Sequence, residues 1–342
     1  MILKSRKITV KRHLPKNINK GYLNLFNHEL EINIPKPKIK VYKNIYYYNK
    51  KLYKFKVFLV LSKHWKMSEY KTTQKLKILV KNLFDITKLL KNKNKVIKIT
   101  EAVFFTDEKS HRYFHWMCDS IPRLELMKQK NLIEEKYLLI DSDLYKNNFV
   151  KETLKLYGSL ILKCEKDQIF KINKIYIPFN LANSGNYNPE IIKKIRTRYK
   201  NNFVKNSKFI SNKKIWISRQ NARIRKISNF FEIEKLLNKY DFEIFEFENI
   251  DDFSKHVTTI NEATVIGGIH GAGMSNMLFL NEGSKVVEIR GENDNHNNAY
   301  FSLSSALNLD YYFFPAVVEN DDFYHNDYYV DPLKFEELLK TL

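Results

Sequence analysis

The strongest pattern lies in the second half of the chain. From Lys214 onward, short runs of β-branched and aromatic residues alternate with stretches whose apolar positions recur at helical spacing. KIWIS, FEIFEF, TVIGG, KVVEI and YYFF read as strands, and NFFEIEKLLNKY, IDDFSKHVTTINEA, GAGMSNMLFL and NAYFSLSSALN as the helices between them. Strands that alternate with helices of about ten residues predict a parallel sheet covered on both faces. The tail DPLKFEELLKTL predicts a closing helix within 331–342, with Asp331 as its N-cap and Pro332 in its first turn.

A similar alternation begins near residue 95. VIKITEAVFF, KYLLIDSD and INKIYIP read as strands, with helices in YFHWMCDSIPRLELMKQ and YKNNFVKETLKLYG. NLANSGNYNPE, Asn180 to Glu190, interrupts the pattern with turn-forming residues and marks a linker. The expected organisation is therefore α/β, with two facing Rossmann-like domains and an interdomain cleft. An N-terminal domain spans 95–184, a C-terminal one spans 185–330, and the closing helix follows. Residues 1–94 read as a basic extension that belongs with the N-terminal domain. Within it IPKPKIK (Ile34 to Lys40) is extended and Pro-punctuated, and KLKILVKNLFDITKLLK (Lys75 to Lys91) is a basic amphipathic helix whose apolar face packs on the core. Open parallel sheets bind ligands at the carboxyl ends of their strands, so the cleft is the expected site.

Composition narrows the function. With 44% hydrophobic and 14% aromatic residues the chain can fill packed cores. Its net charge of +21 is dispersed, and no zinc-finger spacing or aromatic–basic RNA-binding signature accompanies it, so no specific nucleic acid is expected. A dispersed positive field also suits nucleotide-sugars, anionic glycans and an acidic membrane surface. Two cysteines, Cys118 and Cys164, make neither a disulfide framework nor a metal set. The opening MILKSRKITVKRHL has no apolar signal region, and no run approaches a membrane span. The expected location is cytoplasmic, with peripheral contact at the inner membrane face as an extension of the charge argument.

Three clusters carry candidate chemistry. In VIGGIHGAGMSN, four glycines surround His270 at a strand-to-helix junction. Glycine permits positive φ and close approach of a ligand, and a helix N-terminus favours an anion. A nucleophile elbow G-x-S-x-G and the dinucleotide fingerprint G-x-G-x-x-G are both missing, which argues against hydrolase and NAD chemistry. WISRQNARIRK puts Ser218 and Arg219 at the end of the first C-terminal strand, followed by Arg223, Arg225 and Lys226, a set able to neutralise a diphosphate. FHWMCDSIPR places His115, Asp119 and Arg123 on one helical stripe, where an imidazole or carboxylate could deprotonate a hydroxyl. Pro122 removes a helical hydrogen bond there and predicts a kink or an end nearby.

Taken together and in this order, these segments resemble glycosyltransferase family 61, of the capsular-polysaccharide type, over roughly residues 100–315. The resemblance implies a GT-B-like, inverting enzyme without a metal or other cofactor. It uses a nucleotide-sugar donor, expected to be UDP-linked, and a glycan or lipid-linked glycan acceptor in surface polysaccharide synthesis. By position, His115 and Asp119 match the family's H-x-x-x-D element, with one of them as base. Ser218 and Arg219 match its S-R element, with Arg223 following. His270, Gly271, Ala272 and Gly273 match its H-G-A-G loop. Glu288 matches an acidic position where it could accept a bond from a ribose hydroxyl. Gly268-Ile269 departs from a more usual Gly-Pro, and Cys118 from a larger apolar residue.

A competing reading rests on Asp141-Ser142-Asp143, which resembles the D-x-D of metal-dependent GT-A enzymes. A non-catalytic basic module that binds glycan or nucleic acid is the other.

Overall fold

A computed structural model of the chain describes residues 7–54, 59–60, 84–89, 91, 95–158, 160–179, 181–204, 212–247, 252–295 and 298–342. The chain divides into two compact units, Pro37–Phe179 and a second built from Met1–Lys36 together with Asn180–Leu342. Both are mixed α/β with parallel strands.

At the start of the chain, β1 (Lys7–Lys11) and β2 (Glu31–Pro35) pair as an antiparallel ribbon. IPKPKIK then carries the chain from one unit into the other. In Pro37–Phe179, the strands are β3 (Lys38–Tyr48), β4 (Lys51–Lys54), β5 (Leu59–Val60), β6 (Val96–Val103), β7 (Tyr137–Asp141), β8 (Ile161–Cys164) and β9 (Ile169–Phe179). They form one sheet in the order β5-β4-β3-β9-β6-β7-β8. β9, β6, β7 and β8 run parallel, whereas β3, β4 and β5 add an antiparallel edge. Asn49 and Lys50, both at positive φ, make the tight turn between β3 and β4. Ile45, Tyr47, Ile99, Ala102, Leu139, Phe170 and Ile172 fill the core. No helix separates β8 from β9, so this unit is not a plain repetition of strand and helix. Of the amphipathic stretch Lys75 to Lys91, residues 75–83 and 90 lie outside the described residues. Ile86 and Leu89 pack against Tyr48 and Tyr53.

The second unit carries β10 (Lys213–Ile217), β11 (Phe242–Phe245), β12 (Ala263–Ile269), β13 (Lys285–Gly291), β14 (Asp310–Val318) and β15 (Tyr328–Tyr329). The sheet order is β11-β10-β12-β13-β14-β15, parallel except for β15. Numbered by appearance, the parallel strands read 2-1-3-4-5, a doubly wound order whose switch point falls between β10 and β12. Helices Phe230–Lys239 and Pro332–Leu339 bury Ile233, Leu237, Phe335 and Leu338 against Trp216, Val265, Val287 and Phe314 on one face. The alternate strand residues face the other way. There Pro189–Phe203, Phe253–Asn261, the 3₁₀ helix Ala272–Phe279 and Ala299–Ala306 pack on one another. Asn188 caps the first of these through Glu190 and Ile191 N–H, and Asp331 caps the closing helix through Leu333 and Lys334 N–H.

The N-terminal extension differs most from the sequence expectation. Residues 1–94 do not stay together, because 7–36 pack on the sheet of the C-terminal half. Lys16 N–H donates to Tyr311 carbonyl at 2.8 Å, and the Asn17 amide exchanges two hydrogen bonds with the Phe313 backbone. The ring of Phe26 meets those of Phe301 and Phe313 edge-on at 5.0 and 5.4 Å. Arg12 pairs with Glu29 and Asn186, which ties this segment to the former linker.

Candidate active site

In the unit Pro37–Phe179, one helix links β6 to β7 in three merged stretches: Tyr113–His115, a π-helical Trp116–Ser120 and Ile121–Gln129. The wide turn has a local cause. Pro122 has no N–H for the Cys118 carbonyl, and its ring needs room beside that carbonyl. The backbone responds by sending Ile121 N–H five residues back to Trp116. Pro122 therefore widens the helix rather than ending it. Trp116, Met117, Cys118, Ile121 and Leu124 are buried, and His115 and Asp119 sit half-buried beside them. His115 Nδ1 and Asp119 Oδ2 are 2.7 Å apart. Arg123 does not extend this pair as a simple stripe. It donates to the Phe105 carbonyl at 2.9 Å and to Asp107 at 2.8 Å, anchoring the loop that enters the helix. Burial disfavours the Asp107 charge, but Arg123 and the Lys109 N–H outweigh it and hold its carboxyl below the usual carboxylate range.

In the second unit, the ends of β10 and β12 bring two of the clusters together. Arg219 follows β10 and His270-Gly271 follow β12, on either side of the switch point. A Cβ at Gly271 would run into the Arg219 guanidinium, so the arginine lies directly against the glycine loop. Arg219 also closes its own loop, with Nε donating to the Arg225 carbonyl at 3.2 Å and Nη2 to the Ile224 carbonyl at 3.3 Å. Arg225 takes positive φ in that loop, while Arg223 stands exposed. Ser218 is buried, and its hydroxyl accepts Gln220 N–H at 3.2 Å, a turn-forming role.

His270 is the half-buried member of a polar cluster. Its Nδ1 lies 2.5 Å from Glu288 Oε1, and its ring is 5.0 Å from that of Tyr300, whose hydroxyl donates to the Gly271 carbonyl at 2.6 Å. Two expectations change here. The loop glycines do not adopt positive φ. They are glycines because β10 comes too close: a Cβ at Gly267 would strike Trp216, and one at Gly273 would strike Ile217. Ala272 and Gly273 open a 3₁₀ helix. Glu288, moreover, is fully buried with one oxygen on His270 and the other accepting the Tyr311 hydroxyl at 2.6 Å, so a ribose hydroxyl does not reach it.

A family model described as Glycosyltransferase 61 matches residues 113–287, just over half of the chain. The protein belongs to glycosyltransferase family 61. A search of curated proteins finds no match. As a glycosyltransferase it takes a sugar donor and a glycan acceptor. The matched span begins at the helix of His115 and Asp119 and ends one residue before Glu288. No helix among the described residues is long and apolar enough to cross a membrane.

The D-x-D candidate has other employment in this glycosyltransferase. Asp141 caps the short helix Ser142–Tyr145 by accepting Leu144 N–H, and it pairs with Lys50 at 3.1 Å. Asp143 is exposed and pairs with Lys146 at 2.7 Å. The residues that sequence reasoning missed are Tyr300 beside His270, Tyr311 on Glu288, and Arg290, two residues along the Glu288 strand and held by Asn298. A linear hint existed in VVEIRG, where a glutamate and an arginine interrupt a buried strand and must find partners.

Proposed function

We propose that this glycosyltransferase is a GT-B-like, inverting enzyme that moves a sugar from a nucleotide-sugar, UDP-linked, to a hydroxyl of a glycan or lipid-linked glycan in surface or capsular polysaccharide synthesis. The observation that carries the proposal is the packing of Arg219 on Gly271 at the switch point, with His270 beside them. A guanidinium, a side-chain-free backbone and an imidazole at one sheet edge form a cradle for a diphosphate. Inverting transfer needs charge stabilisation on the departing diphosphate and a base for the incoming hydroxyl. Arg219, His270 and the Gly271–Gly273 backbone serve the first need, with Arg223 reaching from its exposed loop. The His115–Asp119 pair serves the second. The reading assigns no metal, and it places the enzyme in the cytoplasm with its basic surface able to meet an anionic membrane.

Thermal shift with UDP-, GDP- and CMP-sugars tests the donor cradle. One nucleotide class should stabilise the wild-type chain, and Arg219→Ala should abolish that shift. A flat panel would sink the proposal. His115→Ala and Asp119→Ala should each leave the donor shift intact while removing transfer. Full transfer in both variants would place the base elsewhere.

A further inference from the structure

Behind His270 runs a buried polar chain, most of it C-terminal to the family-matched residues. Glu288 is 0% exposed on a strand whose neighbours Val287 and Ile289 belong to the core. A carboxylate is tolerated there only if it is paired and hydrogen-bonded. Tyr311 supplies one bond. Burial, and then Glu288 itself, push the Tyr311 hydroxyl well above its usual range, so it keeps its proton and donates. Arg290, two residues along the same strand and also 0% exposed, supplies the charge. Burial opposes the Arg290 charge, but Tyr311, Glu288 and Asp294 outweigh it and hold the guanidinium protonated. Arg290 is itself held by Asn298 Oδ1 at 2.8 Å, by the Asp294 carbonyl, and by the rings of Phe26 and Phe313 at 5.4 and 5.8 Å.

An ionised Glu288 only accepts, so the 2.5 Å contact makes His270 Nδ1 the donor. Among the described residues, no protein group meets His270 Nε2. We propose that Glu288 is a positioning residue, which fixes His270 with Nδ1 protonated and presents Nε2 to the donor diphosphate. The inference rests on the reading of His270 as part of the donor cradle. It replaces a ribose contact for Glu288 with an action through the imidazole. When Nε2 carries a proton it donates to a phosphate oxygen, and Glu288 balances the imidazolium charge. The partner of a histidine's second nitrogen decides which nitrogen faces the ligand.

Long-range ¹H–¹⁵N correlation on the full ¹⁵N-labelled chain reads the tautomer, with the His270 signal identified by its loss in His270→Gln. At about pH 8.5, above the ordinary histidine range, the wild-type ring should be the Nδ1–H form. Glu288→Ala should convert it to the Nε2–H form. Glu288→Gln keeps the side-chain shape and guards against a variant that does not fold. It should retain the Nδ1–H form yet weaken UDP binding about tenfold, the scale at which an orienting partner is felt. A wild-type Nε2–H ring, an unchanged tautomer in Glu288→Ala, or wild-type UDP affinity in Glu288→Gln although UDP shifts the wild-type His270 signal, would overturn the proposal. A converted tautomer in Glu288→Ala with no UDP effect on wild-type His270 would uphold Glu288 as the positioning residue and remove the donor reading alone.

Discussion

A methyl group added at Gly267 would meet the Trp216 ring at 2.7 Å, whereas one added at Gly271 would meet the guanidinium end of the Arg219 side chain. The two substitutions should therefore separate. Trp216 is buried at the centre of the core and cannot move aside, so Gly267→Ala should destabilise the fold by about 1–3 kcal/mol. Gly271 has an extended backbone that alanine adopts without strain, so Gly271→Ala should cost less than about 1 kcal/mol. It would instead displace the guanidinium and abolish the nucleotide-sugar thermal shift. Denaturant unfolding and the donor panel, run on both variants, check this. An undiminished shift in Gly271→Ala would show that Arg219 does not hold the diphosphate. The glycines themselves were plain in the sequence, but their reason was not. Crowding by a neighbouring strand leaves no mark in the linear spacing, so positive φ was the natural inference.

At the scale of elements, much of the C-terminal half was legible because strands of β-branched and aromatic residues alternate regularly with helices. The N-terminal half was less so. β3 lies in a lysine- and tyrosine-rich run, LysIle alternation on an antiparallel edge, and its pairing with β9 spans more than a hundred residues. The helix of His115 shows the same limit in miniature. Pro122 announced a disturbance, but the spacing alone did not distinguish a widened turn from a helix end. Pro122→Ala would restore an N–H for the Cys118 carbonyl and let the turn tighten toward α geometry. Stability should hold or rise by up to about 1 kcal/mol, as removal of a helix-interior disturbance allows. Transfer should fall, because wide turns of this kind commonly serve to place functional side chains. Turnover with the donor found by thermal shift decides the point: a wild-type rate would mean that the π-turn does not position His115 and Asp119.

For the whole molecule, the instructive feature is residues 7–36, which lie at one end of the chain and pack with the other. Asn17 and Phe313 are 296 positions apart, and no periodicity could have joined them. Composition suggested a basic appendage, yet Phe26 is completely buried, touches Phe301, Tyr311 and Phe313, and covers Arg290. Leu25 also gives its carbonyl to Asn298, the residue that holds Arg290. The segment is thus part of the support for Arg290 behind Glu288 and His270, and it closes a core that would otherwise expose aromatic rings. Phe26→Ala should cost about 3–5 kcal/mol, as large aromatic truncations in a packed core do. Because the chain forms two units, a single global unfolding curve would blur that loss. Hydrogen exchange resolved by peptide is the better measurement. Protection should drop across the helix Ala299–Ala306 and β14, while peptides from Pro37–Phe179 keep their wild-type rates. If protection in β14 is unchanged, residues 7–36 are an appendage after all, and the C-terminal sheet supports His270 without them.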